Sequence, residues 1–585
     1  MDLPFSRSLG RDIRKTAMTI GARVKRVAVR FLSVADPHTR WKNHRVPGEA
    51  EFLTPKFCRG WRVQVCRRAL PPSVMMEDTF MRKLRHNNAL WILFSVLPLL
   101  FSAVPMRAQP QAGEVIVIDG SAAAHPLPHF WEKMFGSGRA IMALRESYRR
   151  DLRDVKQITG FEYVRFHAIF HDEVGIYDED AQGNPVYNFS YVDQIYDGLL
   201  ADGVRPFVEL SFMPKKLAAR DVPHAFWFKP NVSPPKDYAK WDNLITRFTE
   251  HLVDRYGIGE VSQWYFEVWN EPNIDFWAGD PRQPTYWELY DHTARAVKAV
   301  NSRLRVGGPA TAQAAWADAF IKHCVDHSVP IDFISSHVYG NDKSEDVFGT
   351  GENIPRNQMV CRAVRKVHDQ IQASAKPQLP LIWSEFNASY MNEPAVTDTV
   401  YMAPWLADTI RQCDGLVDMM SYWTFSDVFE EQGVVKQPFY GGFGLLAEGG
   451  IPKPAFAAFE LLHNLGDERL AIDSDTALAT RRKDGSVVVA VWNYAPPGLA
   501  GTPKTITLRF KGISVQHASI SRVDREHGDM HFMYEKMGAP RYPTQAQIAA
   551  LRKAAQLPAP QGSDLRNGEL TLTLPSYGLA VIEVK

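Results

Sequence analysis

Residues 264–277 have the sequence WYFEVWNEPNIDFW, a run of apolar and aromatic residues that ends in Asn270 and Glu271 ahead of a proline. The composition from Trp264 to Trp269 is typical of a buried strand, and the proline ends it. A glutamate at the end of such a strand either caps the next helix or belongs to a functional site. The stretch therefore predicts a buried strand whose C-terminal end presents Glu271. We expect the surrounding aromatic rings to form a dry wall beside it.

Seven other strand-like runs share this pattern between residues 131 and 466. They cover KMFGSG near residue 135 and residues 162–170, 205–212, 305–310, 332–340, 379–386 and 416–426. Amphipathic helical runs lie between them, including residues 191–203, 285–302 and 356–374, and each meets a Gly, Pro or polar break. Eight strands that alternate with helices predict an α/β fold, a (β/α)8 TIM barrel over 131–466. An open doubly wound sheet is the alternative, but it would more often carry a glycine-rich fingerprint.

The sequence pattern changes after about residue 467. Short alternating segments such as KTITLRFKGI and LTLTLPSYGLAVIEVK, separated by Gly, Asp and Pro turns, predict an attached β-sandwich over 467–585. The segment GEVIVIDGS, within residues 109–130, is a lone strand ahead of the barrel. We expect this N-terminal strand to join the sandwich.

The N-terminal segment has a different charge from the rest of the chain. Residues 1–86 contain 19 basic and 7 acidic residues, whereas the remainder contains 48 and 59. From Met81, a basic start is followed by an apolar run to about Val104, which predicts a signal peptide over 81–108. Residues 1–80 are then an over-extended start or a basic leader. An uncleaved anchor is the alternative, but the run is shorter than the about 20 residues that a spanning helix needs.

Several classes of function and site lack their sequence signatures. No basic stripe with interleaved aromatics indicates nucleic acid binding, and no zinc spacing, phosphate loop or dinucleotide fingerprint is present. We expect no cofactor and no metal. Cys324, Cys361 and Cys413 are few and odd in number, which favours buried small side chains over a disulfide framework. We expect a secreted or periplasmic protein, with no stable membrane insertion after signal cleavage.

Two glutamates with apolar flanks follow strands that lie across the predicted barrel mouth. Glu271 follows the fourth strand, and Glu385 lies in LIWSEFNAS at the seventh. Two facing carboxylates suit glycoside hydrolysis, because one protonates the leaving oxygen while the other stabilises the oxocarbenium-like centre. Their mutual repulsion in a dry pocket separates their pKa values in that sense. We expect Arg165, Asp172 and Glu209, also near strand ends, to support the acid's partners.

Longer sequence motifs make the predicted function more specific. YVRFHAIFHDEVGIY, FEVWNEPNIDFW, DFISSHVYG, WSEFNAS and YWTFSDVFEEQG, in this order, resemble glycoside hydrolase family 39, in particular its β-xylosidases. The resemblance implies a retaining exo-glycosidase acting on oligosaccharides, with Glu271 as general acid/base and Glu385 as nucleophile. It also implies a set of residues lining the −1 sugar site: Asn270, His167, His337, Tyr339, Trp423, Glu430 and Glu431.

These lining residues also have structural interpretations. The two histidines are compatible with core positions, Trp423 with barrel packing, and Tyr339 with a buttress for Glu385. Glu430 and Glu431 are compatible with solvated loop charges, although we expect at most one of them to be so.

The substrate stays open among the sugars of this family. α-L-Iduronidases need a cation for the uronate, whereas this chain has Val338 and Tyr339 after His337, with Glu430 and Glu431 adding negative charge. A β-D-xyloside therefore fits better, and β-glucosidase, β-galactosidase or arabinosidase activity remains an alternative. A non-catalytic carbohydrate-binding protein is a further alternative, although such a protein has typically lost one of the two carboxylates. The oligomeric state has no sequence signal.

Overall fold

The structure, a computed structural model, describes residues 113–513 and 516–584. The predicted leader and signal peptide lie outside these residues. Eight parallel strands close into a barrel, which confirms the predicted (β/α)8 architecture. In chain order the strands are β1 (Met134–Gly136), β2 (Tyr163–Phe166), β3 (Arg205–Leu210), β4 (Tyr265–Val268), β5 (Arg305–Thr311), β6 (Phe333–Tyr339), β7 (Leu381–Asn387) and β8 (Met419–Tyr422).

A principal helix follows each barrel strand. These helices are α1 (Glu146–Ile158), α2 (Ser190–Ala201), α3 (Tyr238–Tyr256), α4 (Arg282–Val300), α5 (Ala317–Asp326), α6 (Arg356–Gln372), α7 (Met402–Cys413) and α8 (Pro454–Leu462). The predicted bounds of α2, α4 and α6 lie within three residues of these. Short helices in the connections cover Ala140–Leu144, Ile258–Val261, Ala312–Ala314, Ser344–Phe348 and Pro394–Thr397. Within the described residues, no helix is long and apolar enough to cross a membrane.

The barrel interior has an apolar lower layer and a charged upper layer. Aromatic and aliphatic side chains from six strands meet in the lower layer: Met134, Tyr163, Phe207, Phe333, Ile382 and Met419. Side chains two residues apart on a strand point to the same face. The residues two positions after Tyr163, Phe207 and Tyr265 therefore enter the interior nearer the C-terminal ends. These residues are Arg165, Glu209 and Glu267, all buried.

Two sheets form the β-sandwich, with a separate apolar core between them. The larger sheet contains, in spatial order, Ala124–Pro126, Glu468–Leu470, Ala477–Arg481, Val487–Trp492, Leu579–Val584, His517–Val523 and Gln561–Asp564. The smaller sheet contains Glu114–Asp119, Lys504–Lys511 and Glu569–Leu574. The strand ahead of the barrel pairs in parallel with Lys504–Lys511, with Ile116 opposite Leu508.

The region 467–585 also contains helices that the alternating pattern did not predict. They cover His531–Lys536 and Gln545–Ala554. Their side chains pack against the barrel connection through a small core that includes Phe439, Ile451 and Leu551. The second helix begins with a capping box between Thr544 and Gln547, a local signal that the sequence does carry.

The interpretation of the cysteines was wrong for two of the three. Cys361 in α6 and Cys413 at the end of α7 form a disulfide across 52 residues. The two helices are neighbours on the barrel surface, a proximity that chain spacing does not reveal. Cys324 is a free, buried thiol, as expected.

Candidate active site

The C-terminal ends of the barrel strands surround a pocket of about 400 Å³. Eight of the nine predicted site residues line it: Glu271, Glu385, Asn270, His167, His337, Tyr339, Trp423 and Glu431. Glu271 and Glu385 come from opposite sides of the barrel, and a carboxylate oxygen of one lies within 4.8 Å of a carboxylate oxygen of the other. The predicted pair of facing carboxylates is therefore present in the geometry.

Glu430 is the predicted residue that the structure places elsewhere. Its carboxylate accepts hydrogen bonds from Arg145 Nη1 at 2.6 Å and from Arg139 Nη1 at 3.0 Å, away from the pocket lining. Burial acts to raise the pKa of Glu430, but the two arginines outweigh it and lower that pKa. Glu430 thus anchors the loop after β8 to the segment after β1. The next side chain along the loop, Glu431, reaches the pocket.

The Glu385 carboxylate is held at both oxygens. Tyr339 Oη donates to Oε2 at 2.6 Å, and Arg165 Nη1 donates to Oε1 at 2.6 Å. Glu385 lies inside β7 and is 4% exposed, so its backbone and side chain are both fixed. Donors at both oxygens stabilise the ionised carboxylate and orient it, which suits a nucleophile.

Arg165 connects Glu385 to the rest of the charged layer. Its guanidinium donates to Glu267 Oε2 at 2.6 Å and to Asn270 Oδ1 at 2.9 Å, and it lies 2.7 Å from Glu209 Oε2. Burial would lower the pKa of Arg165, but the surrounding carboxylates outweigh it and raise that pKa. A permanent cation among buried carboxylates satisfies the charges that a barrel interior would otherwise not tolerate.

Glu271 has the environment of a proton donor. Burial raises its pKa well above the ordinary value, and the negative charges of Glu385 and Asp342 raise it further. A carboxyl group with a raised pKa keeps its proton to higher pH than an ordinary glutamate does. A raised pKa of this kind is what a general acid requires.

A chain of hydrogen bonds fixes the proton on Glu271. His337 Nδ1 lies 3.0 Å from Glu271 Oε1, and His337 Nε2 lies 3.0 Å from Ser384 Oγ, whose hydroxyl donates to Glu267 Oε1 at 2.7 Å. Because the one hydroxyl proton of Ser384 is used on Glu267, Nε2 must be the protonated nitrogen of His337. Burial keeps the pKa of His337 well below its usual range, so the ring is neutral. Nδ1 then accepts a hydrogen bond from protonated Glu271.

His167 and Glu431 form a second polar group in the pocket. His167 Nδ1 lies 2.7 Å from Glu209 Oε2, and its Nε2 lies 3.5 Å from Glu431 Oε1. Burial would lower the pKa of His167, but Glu209 outweighs it and raises that pKa. Burial raises the pKa of Glu431 to about 8, and Glu385 adds to the rise. Glu431 Oε1 has no hydrogen-bond partner among the described residues, so it is available to a ligand hydroxyl.

The indole of Trp423 forms one wall of the pocket. It lies 4.8 Å from the His167 ring, centroid to centroid, and packs against Tyr339, Phe429 and Phe443. A Cβ at Gly136 in β1 would lie 2.1 Å from Trp423 Cε3, so only glycine leaves room for the ring there. Gly136 is therefore a structural requirement of this wall.

The aromatic wall expected around Glu271 is mostly absent from the pocket. Trp264, Trp269 and Trp277 are fully buried in the core, and only Phe276 of the quoted stretch's rings lines the pocket. Trp269 Nε1 donates to the Phe276 carbonyl at 2.7 Å, which shapes the loop after β4. The backbone φ angles of Trp269 and Glu271 are +71° and +43°, an unusual conformation that occurs more often at functional sites. Most of these aromatic rings therefore pack in the core and fix the shape of the loop after β4.

The family model of glycosyl hydrolases family 39 matches residues 114–568. The chain belongs to this family. It is 40% identical over 436 residues to a beta-xylosidase of Geobacillus stearothermophilus, covering 72% of this chain and 86% of that protein. It is 36% identical over 469 residues to a beta-xylosidase of Caldicellulosiruptor saccharolyticus, covering 78% and 94%. The crystal structure of a monomeric beta-xylosidase from Caulobacter crescentus CB15 matches with a TM-score of 0.74 at 35% identity, covering 81% of this chain and 99% of that one.

The protein is thus a family 39 glycoside hydrolase. Sequence reasoning missed Glu267 and Ser384, which join the acid to Arg165 through His337. Glu267 lies in the middle of the apolar run of β4. A charged residue inside such a run was the sequence signal that could have identified it as a site residue. Asp172 proved remote from the acid: it is exposed, and its carboxylate accepts from the backbone N–H of Lys215.

Two clusters of the described residues have ligand types that metals use. One consists of Glu271, His337 and Glu385, whose atoms already take part in hydrogen bonds within the pocket. The other consists of His129, Glu132 and His463, where both Nδ1 atoms lie 2.9 Å from Glu132 Oε1. Hydrogen bonds from the two histidines account for the buried carboxylate of Glu132 and link α8 to the segment before β1.

Proposed function

We propose that the protein is a retaining exo-β-xylosidase that releases β-D-xylose from the non-reducing ends of xylo-oligosaccharides. The observation that carries this proposal is the pair of facing carboxyl groups, Glu271 and Glu385. Their closest oxygens lie within 4.8 Å. Retaining glycosidases place their carboxyl groups about 5–5.5 Å apart, whereas inverting enzymes leave about 6.5–9.5 Å for a water.

The reaction takes two displacements. In the first, a Glu385 oxygen attacks the anomeric carbon, the glycosidic C–O bond breaks, and Glu271 gives its proton to the departing oxygen. In the second, Glu271, now ionised, takes a proton from water as the water oxygen attacks the same carbon. The bond to Glu385 breaks, the sugar leaves with retained configuration, and Glu271 is protonated again. Arg165 and Tyr339 stabilise the carboxylate of Glu385 before attack and after release.

The residues around the pocket favour a neutral pentose over a uronate. Within the described part of the chain, the pocket lining contains Glu271, Asp342, Glu385 and Glu431 but no lysine or arginine. A uronate carboxylate there would find no lysine or arginine to pair with and would lie among four carboxyl groups. The similarity to beta-xylosidases at 36–40% identity over most of the chain supports the same substrate class.

A panel of aryl glycosides tests the substrate. The panel contains a β-xyloside, a β-glucoside, a β-galactoside, an α-arabinoside and an α-iduronide with one common leaving group. We expect kcat/KM to be highest on the β-xyloside. A highest value on the iduronide would contradict the argument from the pocket lining, and no hydrolysis of any substrate would favour a carbohydrate-binding protein.

Leaving-group dependence tests the two roles. Glu385→Ala should lose nearly all activity on every substrate, because no nucleophile remains. Glu271→Ala should retain activity mainly on activated aryl xylosides, whose leaving groups need no proton. Equal losses of Glu271→Ala on good and poor leaving groups would show that Glu271 is not the acid.

The protein is further proposed to be exported. The predicted signal peptide and the disulfide between Cys361 and Cys413 support this proposal, since disulfides persist in oxidising compartments. N-terminal sequencing of protein recovered outside the cytoplasm tests it, and a mature start near residue 109 is expected. Recovery of the protein only from the cytoplasm, with the full N-terminus, would contradict it.

A further inference from the structure

The two catalytic carboxyl groups divide the barrel mouth into two arcs. Glu271 follows β4 and Glu385 lies in β7, and the strand order around the barrel places β5 and β6 between them on one side. On the other side lie β8, β1, β2 and β3. A glycosidic bond held between acid and nucleophile therefore has its two sugars on different arcs.

The arc from β8 to β3 is closed. His167, Trp423 and Phe443 line it, and each is at most 4% exposed. Glu431 extends the same wall. An exo-acting enzyme buries the terminal sugar in the closed part of its site, so this arc suits the −1 sugar.

The arc over β5 and β6 is open and polar. Gln313 follows β5, Asp342 follows β6, and Tyr390, 47% exposed, leans over β6 from the end of β7. The backbone N–H of Tyr390 donates to Asn341 Oδ1 at 2.9 Å, and its ring lies edge-on to Tyr339 at 6.2 Å. These contacts hold an aromatic face at the entrance.

Gln313 is presented by a constrained segment of backbone. Gln313 has φ +60°, and Ala310, Ala314 and Trp316 also have positive φ. Asn273 fastens this segment to the loop of the acid: its Nδ2 donates to the Ala312 carbonyl at 3.0 Å, and its Oδ1 accepts from the Ala312 N–H at 2.9 Å. Non-glycine residues adopt this conformation at a cost, which the surrounding contacts must offset.

Two polar side chains of this arc have unused hydrogen-bonding capacity within the described residues. The Gln313 side-chain amide makes no hydrogen bond to the protein, although it lines the pocket. Asp342 uses one oxygen, Oδ2, to accept from the Tyr339 N–H at 2.8 Å, and the other oxygen makes no hydrogen bond. An amide, a carboxylate oxygen and an exposed ring are the groups that bind sugar hydroxyls and the apolar face of a sugar ring.

We propose that Gln313, Asp342 and Tyr390 form a leaving-group subsite that selects a hydroxylated sugar over a simple aryl or alkyl group. The proposal rests on the proposed glycosidase function and specifies the second sugar of its substrate. Gln313 binds a hydroxyl of that sugar beside the acid, Asp342 accepts from another, and Tyr390 covers one ring face.

The test compares two substrates with the same terminal sugar, 4-nitrophenyl β-D-xyloside and xylobiose. For Gln313→Ala, we expect kcat/KM on xylobiose to fall about tenfold, the loss of one hydrogen bond. The value on the aryl xyloside should change by less than about threefold. Gln182→Ala is the matched control and should change neither value, because Gln182 is exposed in the hairpin turn between the strands Tyr177–Glu179 and Pro185–Tyr187, which follow β2.

A second measurement tests sugar binding at this subsite separately from proton transfer to the leaving group. With aryl xyloside as donor, added xylose competes with water for the glycosyl-enzyme, and the transfer-to-hydrolysis ratio reports sugar binding at this arc. Gln313→Ala should lower that ratio about tenfold at fixed acceptor concentration. Equal effects on both substrates, or an unchanged transfer ratio, would overturn the subsite. A wild-type protein inactive on both xylosides would instead overturn the proposed function.

Discussion

The Tyr339 hydroxyl in β6 donates a 2.6 Å hydrogen bond to Glu385 Oε2 in the adjacent strand β7, where Glu385 is paired with His337 and Tyr339 with Asn387. This bond is the second of two that orient the nucleophile, since Arg165 occupies Oε1. In the proposed mechanism, the sugar is attacked by a Glu385 oxygen and later leaves it. The loss of one donor should therefore reduce both the stability of the ionised carboxylate and the control of its orientation.

Tyr339→Phe should therefore lower kcat/KM on an aryl β-xyloside about 10- to 100-fold, the scale of one hydrogen bond to a charged group. Steady-state kinetics measure the change, and thermal unfolding checks that the fold is retained. An unchanged kcat/KM would mean that Arg165 alone is sufficient to orient Glu385.

Ser384→Ala should impair the acid more than the nucleophile. Without the hydroxyl, the tautomer of His337 is no longer fixed, and a proton on Nδ1 would stabilise ionised Glu271. The pKa of Glu271 should then fall, and kcat/KM should drop more on substrates with poor leaving groups than on activated ones. Ser421→Ala is the matched control, because Ser421 is a buried barrel serine whose Oγ has no partner among the described residues. Equal losses across leaving groups would contradict the hydrogen-bond chain.

The pH profile should follow the charge of Asp342. Glu271 must be protonated to act as the acid, so activity is lost as pH rises through its raised pKa. Burial is the main cause of that raised pKa, and Glu385 and Asp342 add to it. Asp342→Asn removes one negative charge, favours ionised Glu271, and should move the basic limb of kcat/KM on aryl xyloside to lower pH.

Asp342→Glu keeps the charge and is the control for this experiment. Its basic limb should stay near that of the wild type. A basic limb that moves to higher pH in Asp342→Asn would contradict the sign of this electrostatic effect.

Gly136→Ala should displace the wall of the closed arc. The added Cβ would lie 2.1 Å from Trp423 Cε3, so the indole must move. We expect KM for the xyloside to rise at least about tenfold and the protein to be destabilised by about 1–3 kcal/mol, as for other overpacked cores. Gly259→Ala, at a position with no atoms within 4 Å of its Cβ and no positive φ, controls for the loss of a glycine. Unchanged kinetics in Gly136→Ala would show that Trp423 is not needed for binding.

The parts of the fold that depend on local pattern were predictable. β6 and β7 are buried along their whole length, and the apolar residues that begin each of them stand out in the sequence. β8 was harder to delimit: the predicted segment 416–426 contains a strand of only Met419–Tyr422, because apolar residues on both sides continue into buried loops. The helices over residues 531–554 were missed because their surroundings alternate like strands.

The site depended on long-range geometry that the sequence does not express. Glu271 and Glu385 were identified because each is a lone charge beside an apolar strand. Glu430 and Glu431 are adjacent in the chain, and only the positions of Arg139 and Arg145 decide which of them faces the pocket. The pairing of Cys361 with Cys413 likewise depends on the packing of α6 against α7.

The strand Glu114–Asp119 precedes the barrel in the chain and yet completes a sheet built from residues beyond residue 500. A fragment that begins at the barrel would leave Lys504–Lys511 as a bare sheet edge, with its backbone groups open to pairing with another molecule. A fragment that ends after the barrel would leave Glu114–Asp119 without its sheet. Trimmed versions of this enzyme therefore risk self-association from either end, and both termini of the described chain need to be kept together when it is produced or fused to another protein.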